Sequence, residues 1–220
     1  METLMTYMAA FGLATGAGAK AFIPILALGA FHHTPYFELT GRFMWIADPV
    51  VMGVISVLVV LEIVVDSHPD LGRFSDFVSY LPKIVAGFIG FAAVTGQLDS
   101  DIAQLGASGV LGGGTAAGVH WLRNKVRQPF RDFAEDAHES AGKIASLSEA
   151  GASAALSGSA MIVPPLSMVL ALAMVGGSAA LARRAEGRRV ACTHCGEPIR
   201  PGALVCVHCK REQQVVSSEQ

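Results

Sequence analysis

Thr15-Gly16-Ala17-Gly18-Ala19-Lys20-Ala21-Phe22-Ile23-Pro24 lies in the middle of an apolar segment that runs from about Tyr7 to Phe31. Three of its features are costly inside a bilayer. Glycine loosens a helix, Pro24 removes a backbone donor, and Lys20 needs an anion or water. Non-helical backbone at membrane depth survives only where protein buries it or where it lines a wet cavity. The stretch therefore reads as a broken or kinked helix facing the interior of a bundle, beside a polar path. A small-residue packing face with Lys20 reaching toward an interface is the plainer alternative.

Composition fits a bundle in a membrane. Of 220 residues, 52% are hydrophobic and 15% charged, against about 25% charged in a soluble chain. The charges fall between apolar runs, which makes the bilayer the expected partner. A net charge of −2 argues against nucleic acid, because few cations are free to neutralise phosphates. Met1-Glu2-Thr3-Leu4-Met5-Thr6 has no basic run, so a cleaved signal peptide is not expected.

Six apolar segments can be drawn, at 7–31, 49–65, 82–98, 102–122, 144–163 and 165–182. Several are near the lower end of the roughly 17–25 residues that a spanning helix needs. Only Pro164-Pro165 divides the last two, and such a step cannot continue an unbroken helix, so a tight turn is expected. The expected fold class is all-α, a polytopic membrane helix bundle of about six spans over residues 1–185. A basic linker follows at 186–191, then a small zinc ribbon at 192–211 and a disordered tail at 212–220. Basic residues cluster after the second, fourth and sixth segments: Arg73; Arg123, Lys125, Arg127, Arg131 and Lys143; Arg183, Arg184, Arg188 and Arg189. The opposite loops hold Arg42 alone, with Glu38, Asp48, Asp99 and Asp101. Positive residues stay inside, so both termini are expected to be cytoplasmic.

Two connections on that side are amphipathic. Phe74, Phe77, Val78 and Leu81 recur at helical spacing, and so do Phe130, Phe133, Ala137 and Ala141 after Pro129. Each reads as a short helix lying along the interface. Thr15-x-x-Gly18-x-Lys20 is echoed by Thr115-x-x-Gly118-x-His120, which would suit two inverted halves of three spans.

Glu62 and Asp66 stand four apart, on one face at the inner end of the second segment. Acidic groups within a span mark a partner or a path. Lys20, His120 and Glu149 are the other titratable groups in or beside spans. These five residues are the candidates for a ligand or proton path, with a structural ion pair such as Glu62 to Lys20 as the alternative. Asp66-Ser67-His68-Pro69-Asp70 and His32-His33 read better as capping and loop residues than as metal ligands. No nucleophile elbow, phosphate loop or His-Glu-x-x-His occurs, and Gly112-Gly113-Gly114 reads as a packing surface.

The tail carries the sharpest motif. Cys192-x-x-Cys195 and Cys206-x-x-Cys209 can supply four thiolates to one structural zinc ion. Gly196 and Pro201-Gly202 would turn the chain, and His194 and His208 are bystanders within the knuckles. Four protein ligands leave no open position for catalysis.

Taken together, Gly16-x-x-x-Lys20-Ala21-Phe22-Ile23-Pro24-Ile25-Leu26-x-Leu28-Gly29, Leu61-Glu62-x-x-x-Asp66-x-x-Pro69 and Gly109-Val110-Leu111-Gly112-Gly113-Gly114-x-Ala116-x-Gly118-Val119-His120 resemble the bacterial membrane family called domain of unknown function 4126. The resemblance covers roughly residues 8–185. It implies a multi-spanning protein of the bacterial inner membrane and no established activity. Two departures stand out: Glu149-Ala150 where an acidic pair is usual, and Lys20 where another polar residue is common. The cysteine module is an addition to the shared region.

The function expected from these features is that of a small channel or transporter for an ion or small solute, not an enzyme. A membrane scaffold whose zinc ribbon recruits a cytoplasmic protein ranks second. A lipid-directed enzyme using Glu62 or Asp66 with His120 ranks last. A homo-oligomer is compatible with any of these.

Overall fold

The Gly/Lys/Pro stretch divides its apolar run into two helices in the computed structural model, which describes residues 1–39, 41–67, 78–96, 106–134, 140–187, 189–199, 203, 205, 206 and 208–213. α1 (Glu2–Ala19) ends where Lys20 becomes extended, at φ −137° and ψ 118°, and α2 (Phe22–His32) begins two residues later. Pro24 sits in the first turn of α2, where an N–H would have no partner within the helix in any case. The chain does not run straight through this break; it reverses. A Cβ on Gly16 would stand 3.3 Å from Pro24 Cγ, whereas residues eight apart along one continuous helix are about 12 Å apart.

α2 then runs antiparallel to α3 (Pro49–Ser67), with Ala21 beside Glu62 at one end and Gly29 against Met52 at the other. A 3₁₀ segment (Gly41–Ala47) joins them. Asp48 caps α3, its Oδ1 accepting the Val50 and Val51 amides at 2.9 and 3.2 Å. α4 (Tyr80–Thr95) follows, then a single π turn (Gly109–Gly113) leading into α5 (Gly114–Ala134). α6 (Ser140–Ile162) and α7 (Pro164–Gly187) close the bundle. Only Val163 separates them, and Pro164 opens α7, as the Pro-Pro step requires.

α1 is the axis on which α4, α5, α6 and α7 pack. Its buried residues are Ala9, Ala10, Gly12, Leu13, Ala14, Thr15, Gly16, Ala17, Gly18 and Ala19, and their small size lets the neighbours approach closely. At Gly18 an added Cβ would lie 2.5 Å from Val119 Cβ and 2.7 Å from the Ala116 carbonyl oxygen. α6 answers α1 with its own stripe of small residues, Ser146, Ala150, Ser153, Ser157 and Ala160, all buried. Ser153 Oγ donates to the Gly16 carbonyl at 2.9 Å, satisfying backbone near the end of α1.

The exterior is aliphatic. Val50, Val54, Val57, Val60, Leu61 and Val64 of α3 are exposed, as are Leu166, Val169, Leu172, Val175 and Leu181 of α7. Among the described residues these are the two helices long and apolar enough to cross a membrane, with mean hydropathy 2.4 and 1.8, while α2 and α4 are shorter apolar helices.

Three expectations need correction. The segment 7–31 is not one crossing. Met8 and Gly12 lie beside Ser167 at the start of α7, and Lys20 lies beside Asp66 at the end of α3. The start of α1 and the end of α7 therefore occupy opposite ends of the bundle, not the same one. A hydropathy count cannot see a chain reversal. Pro129 does not open a separate helix either, because α5 continues through it to Ala134. Third, the echo between Lys20 and His120 is not a structural repeat: the chain breaks at Lys20 but stays helical at His120. Arg73 through Phe77, His68-Pro69-Asp70, Asp99, Asp101, Ala137, Pro201-Gly202 and the tail from 214 onward lie outside the described residues.

After α7, β1 (Val190–Ala191) pairs antiparallel with β2 (Pro198–Ile199), and Val205 bridges Glu212. Cys192, Ile199 and Cys206 form a small core of their own. The module thus extends to Gln213, two residues past the boundary expected at 211.

Gly18 and its echo Gly118 should differ sharply under substitution. Gly18→Ala should cost about 1–3 kcal/mol through overpacking. Gly118→Ala meets nothing within 4 Å and should be neutral or stabilising by up to about 1 kcal/mol. Thermal unfolding of the detergent-solubilised protein measures both.

Candidate functional site

The reversal leaves the first amides of α2 without intrahelical partners, and a neighbouring helix supplies them. Glu62 of α3 accepts the Ala21 N–H at Oε1, 3.0 Å, and the Phe22 N–H at Oε2, 3.5 Å. A carboxylate is favoured here both as an acceptor and by the positive end of the helix dipole.

One turn further along α3, Asp66 is the hub of a buried network. Its Oδ2 accepts from Lys20 Nζ at 2.6 Å and from Arg123 Nη2 at 2.5 Å. Arg123 Nε and Arg127 Nε each donate to Glu149, at 2.8 and 2.7 Å. Arg127 also donates to the Asp66 carbonyl at 3.3 Å. Lys20 reaches Ser146 Oγ at 3.0 Å, and Ser146 in turn donates to the Ile63 carbonyl at 3.0 Å. Side chains from α3, α5, α6 and the α1–α2 break are thereby joined in one chain of charge-assisted bonds.

A second pair lies on the far side of Glu62. Lys83 and His120 are both fully buried, with Nζ 2.9 Å from Nδ1, and Lys83 Nζ is 3.9 Å from Glu62 Oε1. If Lys83 donates to Nδ1, the imidazole carries its proton on Nε2, which faces the Asn124 amide at 3.3 Å. Turning that amide over gives Asn124 Oδ1 the bond it otherwise lacks. Tyr80 packs edge-on against the ring, with centroids 4.4 Å apart.

All five residues singled out by sequence therefore meet in one region, but their partners differ from those expected. Lys20 pairs with Asp66, not Glu62. His120 belongs to the Lys83 pair and Glu149 to the two arginines. Lys83, Arg123, Arg127 and Ser146 went unnoticed as site residues. Lys83 follows Pro82 at the start of an apolar run and reads as a boundary charge. In the sequence Arg123 and Arg127 read only as basic residues following the fourth apolar segment, although their i, i+4 spacing puts them on the face that Glu149 meets. His32 and His33 fasten the loop: His32 Nδ1 accepts the Leu39 amide at 3.0 Å, and His33 Nε2 contacts the Ala47 carbonyl at 3.1 Å.

The cysteines form the other site. The sulfurs of Cys192, Cys195, Cys206 and Cys209 all lie within 4.8 Å of one another. Cys192 to Cys209 is 3.8 Å and Cys195 to Cys206 is 3.7 Å. The two knuckles have the same build. His194 and His208 amides donate to the first sulfur of each at 3.4 Å. Gly196 and Lys210 amides donate back to the Cys192 and Cys206 carbonyls. Both turns need a left-handed residue, supplied by Gly196 at φ 74° and by Lys210 at φ 59°. Burial opposes ionisation of Cys192, yet the Cys195 and His194 amides bring its thiol down to about 6. The Glu197 amide favours ionised Cys195, but desolvation and the neighbouring sulfurs push it up to about 12. Four crowded sulfurs cannot all ionise alone, and a bound cation is what would let them.

A helical bundle built around paired internal charges, with membrane-capable helices and an appended four-cysteine cluster, is the class of protein these sites define. Residues 7–184 match the family model Domain of unknown function (DUF4126), and the chain belongs to that family. No curated protein and no solved structure matches it.

Asp66→Asn should expose the worth of the network, because it strands Lys20 beside a neutral amide and takes from Arg123 one of its two carboxylates. Removing one partner of a buried pair costs about 3–5 kcal/mol, measurable as a lowered unfolding midpoint in detergent. Adding Lys20→Met should recover part of the loss.

Proposed function

We propose that the chain is a polytopic inner-membrane protein that passes an ion or small solute through its bundle, with the charge network as the gate at the cytoplasmic end. A hydrocarbon surrounding accounts for the reversed polarity, aliphatic outside and lysine, histidine and serine inside. In this reading α3 to α7 cross five times, and α1–α2 is a helical hairpin that enters from the outer side and returns to it. Lys125, Lys143, Arg183, Arg184 and Arg189 mark the end that carries the network as cytoplasmic.

The observation that carries the proposal is the reversal at Lys20, held by side-chain charges instead of helical backbone. Broken helices whose ends face ionised groups are the way many transporters build their sites. Lys20 and Arg123 share one oxygen of Asp66, so an anionic solute can take the place of Asp66 at Lys20 while Asp66 keeps Arg123. Opening then needs an exchange of partners, not the stranding of a charge.

For the cysteine cluster we infer zinc as the metal. A tetrahedral zinc with bonds of about 2.3 Å sets its sulfurs about 3.8 Å apart, which fits the Cys192–Cys209 and Cys195–Cys206 separations of 3.8 and 3.7 Å. The site is closed and structural, and metal would supply folding free energy that so small a core cannot. A scaffold is the second reading. It is favoured by the pairing of Glu62, Asp66 and Glu149 with cations or amides, and by a separate module suited to a cytoplasmic protein partner.

Reconstituted in vesicles, the protein should move an ion or small solute, and Glu62→Gln should abolish this while the bundle stays folded by circular dichroism. Undiminished flux through folded Glu62→Gln would remove the carboxylate from the path. Absence of any flux, with a co-purifying protein lost on deleting residues 190–220, would favour the scaffold.

Topology is checked separately. A reporter ahead of Glu2 should appear outside and one after Gln220 in the cytoplasm. Both on one side would overturn the hairpin.

A further inference from the structure

Gln213 touches both knuckles. Its Oε1 accepts from the Thr193 N–H at 3.2 Å and from Thr193 Oγ1 at 3.1 Å. Its Nε2 donates to Cys192 Sγ at 3.3 Å and to the Arg211 carbonyl at 3.3 Å. That carbonyl also accepts the Cys206 amide at 2.9 Å. The orientation of the amide is fixed by chemistry, because the Thr193 N–H can only donate and so must meet the oxygen. Nε2 is then left for the sulfur.

We propose that Gln213 is a positioning residue for the metal bound by the four cysteines, stapling the second knuckle to the first and spreading the charge of the Cys192 thiolate. The inference rests on the four-thiolate reading above. Four thiolates around a divalent cation leave two net negative charges, and each N–H directed at a sulfur draws off part of them. Cys192 receives the side-chain donor Gln213 Nε2 besides backbone N–H groups such as that of His194, whereas Cys206 receives the His208 amide and no side-chain N–H among the described residues. Gln213 therefore makes the two knuckles unequal and ties the segment after the second knuckle to metal occupancy. Hydrogen bonds of this kind around metal ligands typically carry about 10–100-fold in affinity.

The test uses full-length protein in detergent, with zinc content, zinc affinity by chelator competition, and the sulfur-to-metal absorption of the Co²⁺-loaded form. Gln213→Ala should bind zinc about tenfold more weakly and shift the Co²⁺ charge-transfer band to longer wavelength, because an undamped thiolate gives up its electrons more readily. Gln213→Glu should be weaker still, since its carboxylate can serve Thr193 but brings negative charge, not a proton, to the sulfur. If wild-type protein holds one zinc and both variants match it in affinity and spectrum, the staple is wrong and the metal site stands. If Gln213→Glu merely equals Gln213→Ala in affinity with an unshifted band, Gln213 acts by packing, and the charge-spreading role falls. If wild-type protein holds no zinc, and Cys192→Ser with Cys195→Ser changes nothing, the metal reading and the staple fail together.

Discussion

Lys20 Nζ and Asp66 Oδ2, 2.6 Å apart and both buried, hold the place where the chain turns back on itself. Neither charge could stay inside alone, because an unpaired buried ion costs several kcal/mol. Each therefore fixes the other: the ammonium at the end of α1 and the carboxylate at the end of α3. Glu62 completes the turn from one helical turn away by receiving the amides that the break exposes. With these two carboxylates at its start, α2 runs back along α3. The arginines of α5 and Glu149 of α6 then lock two further helices to the same hub.

The rest of the packing follows from bringing backbones close around that hub. Alanine and glycine along α1 and serine along α6 leave little side chain between helices, so contact is made by backbone and short hydroxyls. Leucine at these positions would force the helices apart and lengthen the ion pairs. Large aliphatic side chains are displaced to the outside, on α3 and α7 above all. Close packing and internal polar bonds beneath an aliphatic exterior are the balance expected where lipid replaces water.

The cysteine module solves the opposite problem. Its core is Cys192, Ile199 and Cys206, too small to offset the ordering of its backbone. It relies on two tight knuckles whose amides point at sulfur and on left-handed turns at Gly196 and Lys210. A lysine in that conformation is tolerated because the second knuckle is held from several sides, with the Arg211 carbonyl engaged by both Cys206 and Gln213.

Much of this was legible in the residues. Glycine, lysine and proline within one apolar run announce a break, since each is costly in a continuous buried helix, and the break falls at Lys20. Two Cys-x-x-Cys pairs announce a metal-sized cluster, because their spacing is local and leaves the chain few alternatives. The five charged or polar site residues were legible too, as groups too expensive to bury without purpose. Their pairing was not. Whether Lys20 meets Glu62 or Asp66, whether Arg123 faces a loop or a buried carboxylate, and whether the chain after the break continues or returns depend on residues from 26 to 126 positions away. Composition and periodicity report what a segment can tolerate around it. Direction, partners and the placement of Lys83 and Gln213 come only when distant segments are brought into contact, because an ion pair or a hydrogen bond is decided by a few tenths of an ångström in space and leaves no mark on spacing along the chain.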